Sequence, residues 1–147
     1  AYGASVGDWP AFPDSADALQ RLHQAFKLII FSNVDRKSFA ASNRRLGVEF
    51  DLIVTAEDVG AYKPDLQGFS YLFSMLGEIG VEENGLLHVA ESLYHDHIPA
   101  AAVDLDSVWI NRRHGRVGFG ATAVPESPAT PLATFPGLRE FAANTLG

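Results

Sequence analysis

Two rhythms of apolar and polar residues alternate along this chain. Leu28-Ile-Ile-Phe31, Leu52-Ile-Val54, Leu86-Leu-His-Val-Ala90 and Val108-Trp-Ile110 are short, mostly apolar runs bounded by polar or turn-forming residues. Runs of that length fit strands buried on both faces, as in a parallel sheet covered by helices. Between them the spacing is helical. Leu19, Leu22, His23 and Phe26 share one face of a helix that Asp14-Ser15 can cap and that runs to about Phe26. A second helix starts at Asp35 or Ser38 and stops near Gly47. A third has Pro64 in its first turn, runs to about Ile79 and meets Gly80 just past its end. Leu93 to Ala102 is a short helix that Pro99 can kink.

With strands at Lys27–Asn33, Asp51–Ala56, Leu86–Ala90 and Ser107–Asn111, helix and strand take turns. That order predicts an α/β fold: a three-layer α/β/α sandwich around a parallel, Rossmann-like sheet of about four strands. From Gly115 to Pro136 the composition shifts to Gly, Pro, Ala, Thr and Ser, which reads as an extended tail or loop. Residues 137–146 give a terminal helix, so residues 1–147 are expected to form a single domain.

Composition supports a folded, water-exposed domain. Of the 147 residues, 47% are hydrophobic, enough to bury a core. Eighteen acids against eleven bases give a formal charge of −7, and the one basic cluster is Arg112-Arg-His-Gly-Arg116, so nucleic acid is not an expected partner. The N-terminus has no basic segment leading into an apolar one, and no apolar run approaches the ~20 residues of a membrane span. The expectation is a soluble, cytoplasmic protein. With no cysteine, thiolate catalysis, disulfides and cysteine-bound metal are excluded for these residues.

In open α/β sheets, ligands sit beyond the carboxyl ends of the strands, where Ser32, Asn33, Glu91 and Asp96 fall. A hydroxyl and an amide there can donate to an anionic oxygen, and Lys63 can neutralise charge developing on a nucleophile or substrate. That set suits acyl or phosphoryl transfer. Each residue also has a plainer reading. Ser-Asn after a strand is a common turn, Lys-Pro a common solvated helix start, and Glu91 with Asp96 can cap a helix. His95 and His97 lie two apart, on different faces of a helix, and His88 sits inside a strand, so core or surface hydrogen bonding suits the histidines better than a metal site.

Order and spacing tie these pieces together. Trp9-Pro-Ala-Phe-Pro-Asp14, Phe31-Ser-Asn-Val-Asp35, Ala61-Tyr-Lys-Pro-Asp65 and His88-Val-Ala-Glu-Ser-Leu-Tyr-His-Asp-His-Ile-Pro-Ala100 resemble the corresponding strings of the haloacid dehalogenase superfamily, in its type II 2-haloacid dehalogenase-like branch. The resemblance runs from about Trp9 to Arg113. It implies that Ser32 binds the transferring group, that Asn33 orients the substrate, that Lys63 holds the nucleophile and its charge, and that Lys63 and Asp96 are the catalytic residues. It also implies that Glu91 and Asp96 fill an acidic motif, which in phosphatase members helps bind Mg2+ and in dehalogenases works without metal. The motif usually begins Gly-Asp; here it is Ala90-Glu91.

The superfamily's first motif, a strand ending in a nucleophilic aspartate, has no counterpart before Trp9. Ala1-Tyr-Gly-Ala-Ser-Val6 is too short and too small to be that strand, and reads as the end of a deleted cap. Asp104-Leu-Asp106 has the right letters, but its strand follows the aspartates instead of leading into them. A sheet lacking its central first strand exposes two edges, which must pair with each other, in the order fourth, third, first, second, or recruit a strand from a homodimer mate or another protein. The expected function is therefore a haloacid dehalogenase-like hydrolase core, acting on 2-haloacids or phosphate esters and inactive alone. The alternatives are a non-catalytic relative that binds a small anion or a protein, and a repurposed isomerase or cyclase using Lys63, Glu91 and Asp96 for acid-base chemistry.

Overall fold

The computed structural model describes residues 12–113 and 129–147. In chain order the elements are α1 (Ser15–His23), β1 (Ile29–Ser32), α2 (Arg36–Leu46), β2 (Leu52–Thr55), α3 (Ala56–Val59), α4 (Gln67–Met75), β3 (His88–Ala90), α5 (Ile98–Ala102), β4 (Ser107–Ile110), β5 (Ala133–Phe135) and α6 (Leu138–Leu146). The described residues form two compact units, one within residues 12–62 and 138–147, the other within residues 63–113 and 129–137.

The first unit holds α1, β1, α2, β2, α3 and α6. Its sheet is the parallel pair β1–β2, with Ile29 opposite Leu52 and Ser32 opposite Thr55. Val54, Phe39, Leu22, Ala18, Phe141 and Ala142 are buried; of the α1 face expected from the periodicity only Leu22 is fully buried, because the helix ends at His23, turns Ser15, Ala18 and Leu22 inward and leaves Phe26 exposed. The helix boundaries have local causes. Asp35 caps α2, its Oδ1 accepting from Ser38 N at 2.7 Å, and those bonds hold its carboxyl below the usual carboxylate range. Gly47 closes the helix in the left-handed conformation, φ 64°. Thr55 and Asp58 form a reciprocal capping box that starts α3. Asp14 stands at the N-terminus of α1, yet its side chain accepts from Arg139 N in the first turn of α6 at 3.1 Å and does not cap its own helix.

The second unit holds α4, β3, α5, β4 and β5. Its three strands are all parallel, in the order β3-β4-β5, with His88 opposite Ser107 and Val108 opposite Ala133. Phe69, Leu72 and Leu76, spaced at helical intervals, are essentially excluded from water, as are Ala100 and Ile110. Leu93–His97 forms one π-helical turn before α5, and Pro99 sits in the first turn of α5. There its missing N–H costs no helical bond, so no kink is needed.

The α/β class, the parallel pairing and the flanking helices are as the sequence predicts. Besides Asp14 and Pro99, three further details differ. The strands divide into a two-stranded and a three-stranded sheet rather than one sheet of four. A fifth strand, Ala133–Phe135, arises inside the segment expected to be a tail; it is recruited by β4, with Leu132 N donating to Ser107 O and Asn111 N to Phe135 O, so a three-residue strand exists because a partner ladder satisfies its backbone. Third, Pro64 does not open a helix: Lys63-Pro64 is a cis peptide, and α4 begins at Gln67. Ala1–Val6, the Trp9-Pro-Ala11 part of the first quoted string, and residues 114–128 of the basic cluster and tail lie outside the described residues. Among the described residues no helix is long and apolar enough to cross a membrane.

Candidate active site

In the second unit three polar side chains converge where apolar residues would be expected. Lys63 precedes α4, His88 opens β3, and Asp96 sits in the π-helical turn after that strand. Lys63 Nζ donates to Asp96 Oδ1 at 2.5 Å, and His88 Nε2 lies 2.9 Å from the same oxygen. The side chains of Lys63 and Asp96 are each 8% exposed and that of His88 10%. Charges so far from water cost several kcal/mol each unless paired, and here they are.

The electrostatics follow from that pairing. Burial raises the Asp96 carboxyl, but the His88 hydrogen bond and the nearby Lys63 charge outweigh it and bring its pKa down to about 2. Asp96 is thus an anion at neutral pH. An ionised carboxylate only accepts, so His88 must carry its hydrogen on Nε2. The His88 ring is further fixed by the edge of Phe69, with centroids 5.6 Å apart and planes at 78°.

A second histidine braces the turn from behind. His97, 1% exposed, places Nε2 2.8 Å from Ala90 O and Nδ1 2.8 Å from Ser107 Oγ. A carbonyl only accepts, so Nε2 donates, and Nδ1 of the neutral ring takes the Ser107 hydroxyl hydrogen. Burial pushes the His97 pKa below its ordinary value against the Ala90 bond. His97 therefore ties the end of β3 to the start of β4. Ser92 caps the π turn, its Oγ accepting from His95 N at 3.0 Å and pairing with His95 Nδ1. His95 and His97 thus serve different partners.

Of the residues singled out from the sequence, Lys63 and Asp96 are in direct contact. Glu91 follows β3 as an exposed side chain, and its backbone oxygen accepts from Trp109 Nε1 at 2.8 Å. Ser32 ends β1 and Asn33 follows it, both half-buried in the first unit; Ser32 Oγ accepts from Val34 N at 3.4 Å, the local bond of a turn. Magnesium asks for near-octahedral oxygens at about 2.0–2.1 Å. Asp96 Oδ1 instead already serves an ammonium and an imidazole, and among the described residues no three His, Cys, Asp or Glu side chains gather as a metal site. Glu91 and Asp96 as they stand do not make a magnesium site.

His88 is the member that sequence reasoning placed only as a strand histidine. Its signal was present: a polar residue in a mostly apolar run must find a hydrogen bond wherever its side chain is buried. The identity of that partner, eight residues on and through a π turn, is a tertiary fact.

The haloacid dehalogenase-like hydrolase family model matches residues 2–89. This chain belongs to that family. The haloacid dehalogenase-like chain is 30% identical over 107 residues to an (S)-2-haloacid dehalogenase of Pseudomonas putida, a stretch covering 71% of this chain but 45% of that protein. It therefore spans less than half the length of this relative. In structure it resembles the L-2-haloacid dehalogenase of Xanthobacter autotrophicus with chloropropionic acid covalently bound, with a TM-score of 0.79 at 19% identity over 97% of this chain and 64% of that one. A magnesium-bound HAD-hydrolase of Bacillus subtilis matches 90% of the family member described here and 55% of its own chain, with a TM-score of 0.74 at 24% identity. At those identities the likeness concerns the fold.

Proposed function

We propose that this chain carries the charge-holding part of a hydrolase active site that acts on small anionic substrates, phosphate esters or 2-haloacids, through an aspartyl intermediate. On this reading the nucleophilic aspartate comes from outside residues 1–147, from a longer chain or from a partner that supplies a strand. The aspartate oxygen attacks the reacting phosphorus or carbon, the alkoxide or halide departs with the bonding electrons, and water then cleaves the aspartyl phosphate or aspartyl ester to release phosphate or the hydroxy acid and restore the carboxylate. Lys63 neutralises the nucleophile and the charge that develops on the substrate, and Asp96 holds Lys63 in place. Ser32 binds the transferring group and Asn33 orients the substrate.

The observation that carries this reading is the buried Lys63–Asp96 pair. A solvated helix start does not require an ammonium to be desolvated, whereas a site that must stabilise an anion out of water does. The kinship with 2-haloacid dehalogenases supports the substrate class. Acid-base chemistry by Asp96, as in an isomerase or cyclase, fits less well, because a carboxyl held at about 2 is a weak base and is not available as an acid near neutrality. Glu91 and Asp96 become metal ligands only if further oxygens arrive with the nucleophile's segment.

The test is hydrolysis of an aryl phosphate and of 2-chloropropanoate by the purified chain, with and without magnesium, beside Lys63→Ala. The expected result is no turnover above the variant, since removing a covalent nucleophile costs orders of magnitude. Robust turnover by the chain alone, lost in Lys63→Ala, would place the nucleophile within these residues.

A further inference from the structure

Two donors from different elements share one carboxylate oxygen in this site. Lys63 reaches Asp96 Oδ1 on a four-carbon stem with many rotamers, while His88 reaches it from a strand, with a ring set against Phe69 and 6.4 Å from the ring of His97. A carboxylate gripped only by a lysine is free to turn about its last bond and to follow the lysine's rotamers. A strand-borne imidazole removes that freedom, because its own orientation is fixed by packing. It also takes part of the Asp96 negative charge, so the Lys63 ammonium is less fully neutralised by its partner.

We propose that His88 is a positioning residue: its Nε2–H fixes Asp96 Oδ1 and thereby sets where the Lys63 ammonium stands to meet an anion. The role rests on the reading of Lys63 given above. It assigns to β3 a function beyond sheet pairing, and it gives a reason for a histidine with a side chain only 10% exposed at the first position of a half-buried strand that could be wholly aliphatic. A purely structural histidine would need only a partner; this one donates to a side chain that itself holds the lysine.

The test uses the full chain and inorganic phosphate as the anion probe. In the wild-type protein, nitrogen-detected NMR of the histidines should show His88 with its hydrogen on Nε2, protected from exchange; a hydrogen on Nδ1 alone would overturn the proposal. Phosphate titrations then compare wild type with His88→Phe, which keeps a ring against Phe69 but donates nothing, and His88→Gln, whose side-chain amide donates at similar reach. Loss of a hydrogen bond to a charged group should weaken phosphate by about tenfold in His88→Phe, and His88→Gln should come back to within about twofold of wild type. Should His88→Phe fail to fold, His88→Asn, whose donor stops short, takes its place with the same expectation. Unchanged affinity in the non-donating variant, or no recovery in His88→Gln, sinks the positioning role while Lys63→Ala still weakens binding. If wild type does not bind phosphate, or Lys63→Ala binds as well as wild type, the reading of Lys63 fails first and this role falls with it.

Discussion

Lys63, Asp96 and His88 show what a single buried charge demands. Removing the ammonium in Lys63→Met leaves an anion in the interior facing one imidazole, and breaking such a pair costs about 3–5 kcal/mol, to be read from urea denaturation. Asp96 also sets an acid limit. Its folded pKa lies below the ordinary 3.8, at about 2, so its contribution is fully present above pH 3.8 and disappears as pH falls through 2. That difference is worth roughly 2 kcal/mol of stability. Carbon-detected NMR of the Asp96 carboxyl across that range should show the low midpoint in the folded protein, and a midpoint near 3.8 would contradict it. His97 acts in the same direction at higher pH. Held neutral by burial, it contributes stability that is present above about pH 6.5 and is lost as pH falls through its lowered folded value. His97→Gln, which does not titrate, should flatten the stability-versus-pH curve below pH 6.5.

Among the elements, caps account for boundaries that apolar periodicity leaves vague. Gly47 ends α2 with φ 64°, and a Cβ added there would meet nothing within 4 Å. Gly47→Ala is therefore a test of backbone strain alone, with an expected loss of about 1 kcal/mol in thermal or urea unfolding. Thr55, fully buried, starts α3 through its bond with Asp58. Thr55→Ala removes that cap and should cost about 1–2 kcal/mol, whereas Thr55→Ser should restore most of it. Asp35-to-Ser38 and the glycines were legible because capping is local chemistry between residues three or four apart. Asp14 was not, since its partner Arg139 lies 125 positions away.

Over the whole molecule, the described strands form two parallel sheets, β1–β2 and β3–β4–β5, in a chain that spans 45% of a (S)-2-haloacid dehalogenase to which it is 30% identical. On the proposed function, a peptide carrying an apolar strand that ends in Asp-x-Asp or Asp-x-Tyr should bind this chain and raise its turnover of aryl phosphate or 2-chloropropanoate. The same peptide with Asp replaced by Asn should bind without turnover. If neither peptide binds, completion by a strand is the wrong account of the missing chemistry.

Apolar runs, helical spacing and short motifs by themselves determined the α/β class, four of the strands and the family to which the chain belongs. These depend on interactions between residues close in sequence and on patterns repeated along it. They also marked Lys63 and Asp96 as chemistry-bearing. Tertiary structure decided the rest. It buried those two together 33 positions apart, turned His88 from a strand residue into a second donor on Asp96, and made a strand of Ala133–Phe135 because β4 had an edge to satisfy. The physical reason is common to all three. A buried polar group must find a partner, but which partner is fixed only when the chain has folded and brought distant residues within hydrogen-bond reach.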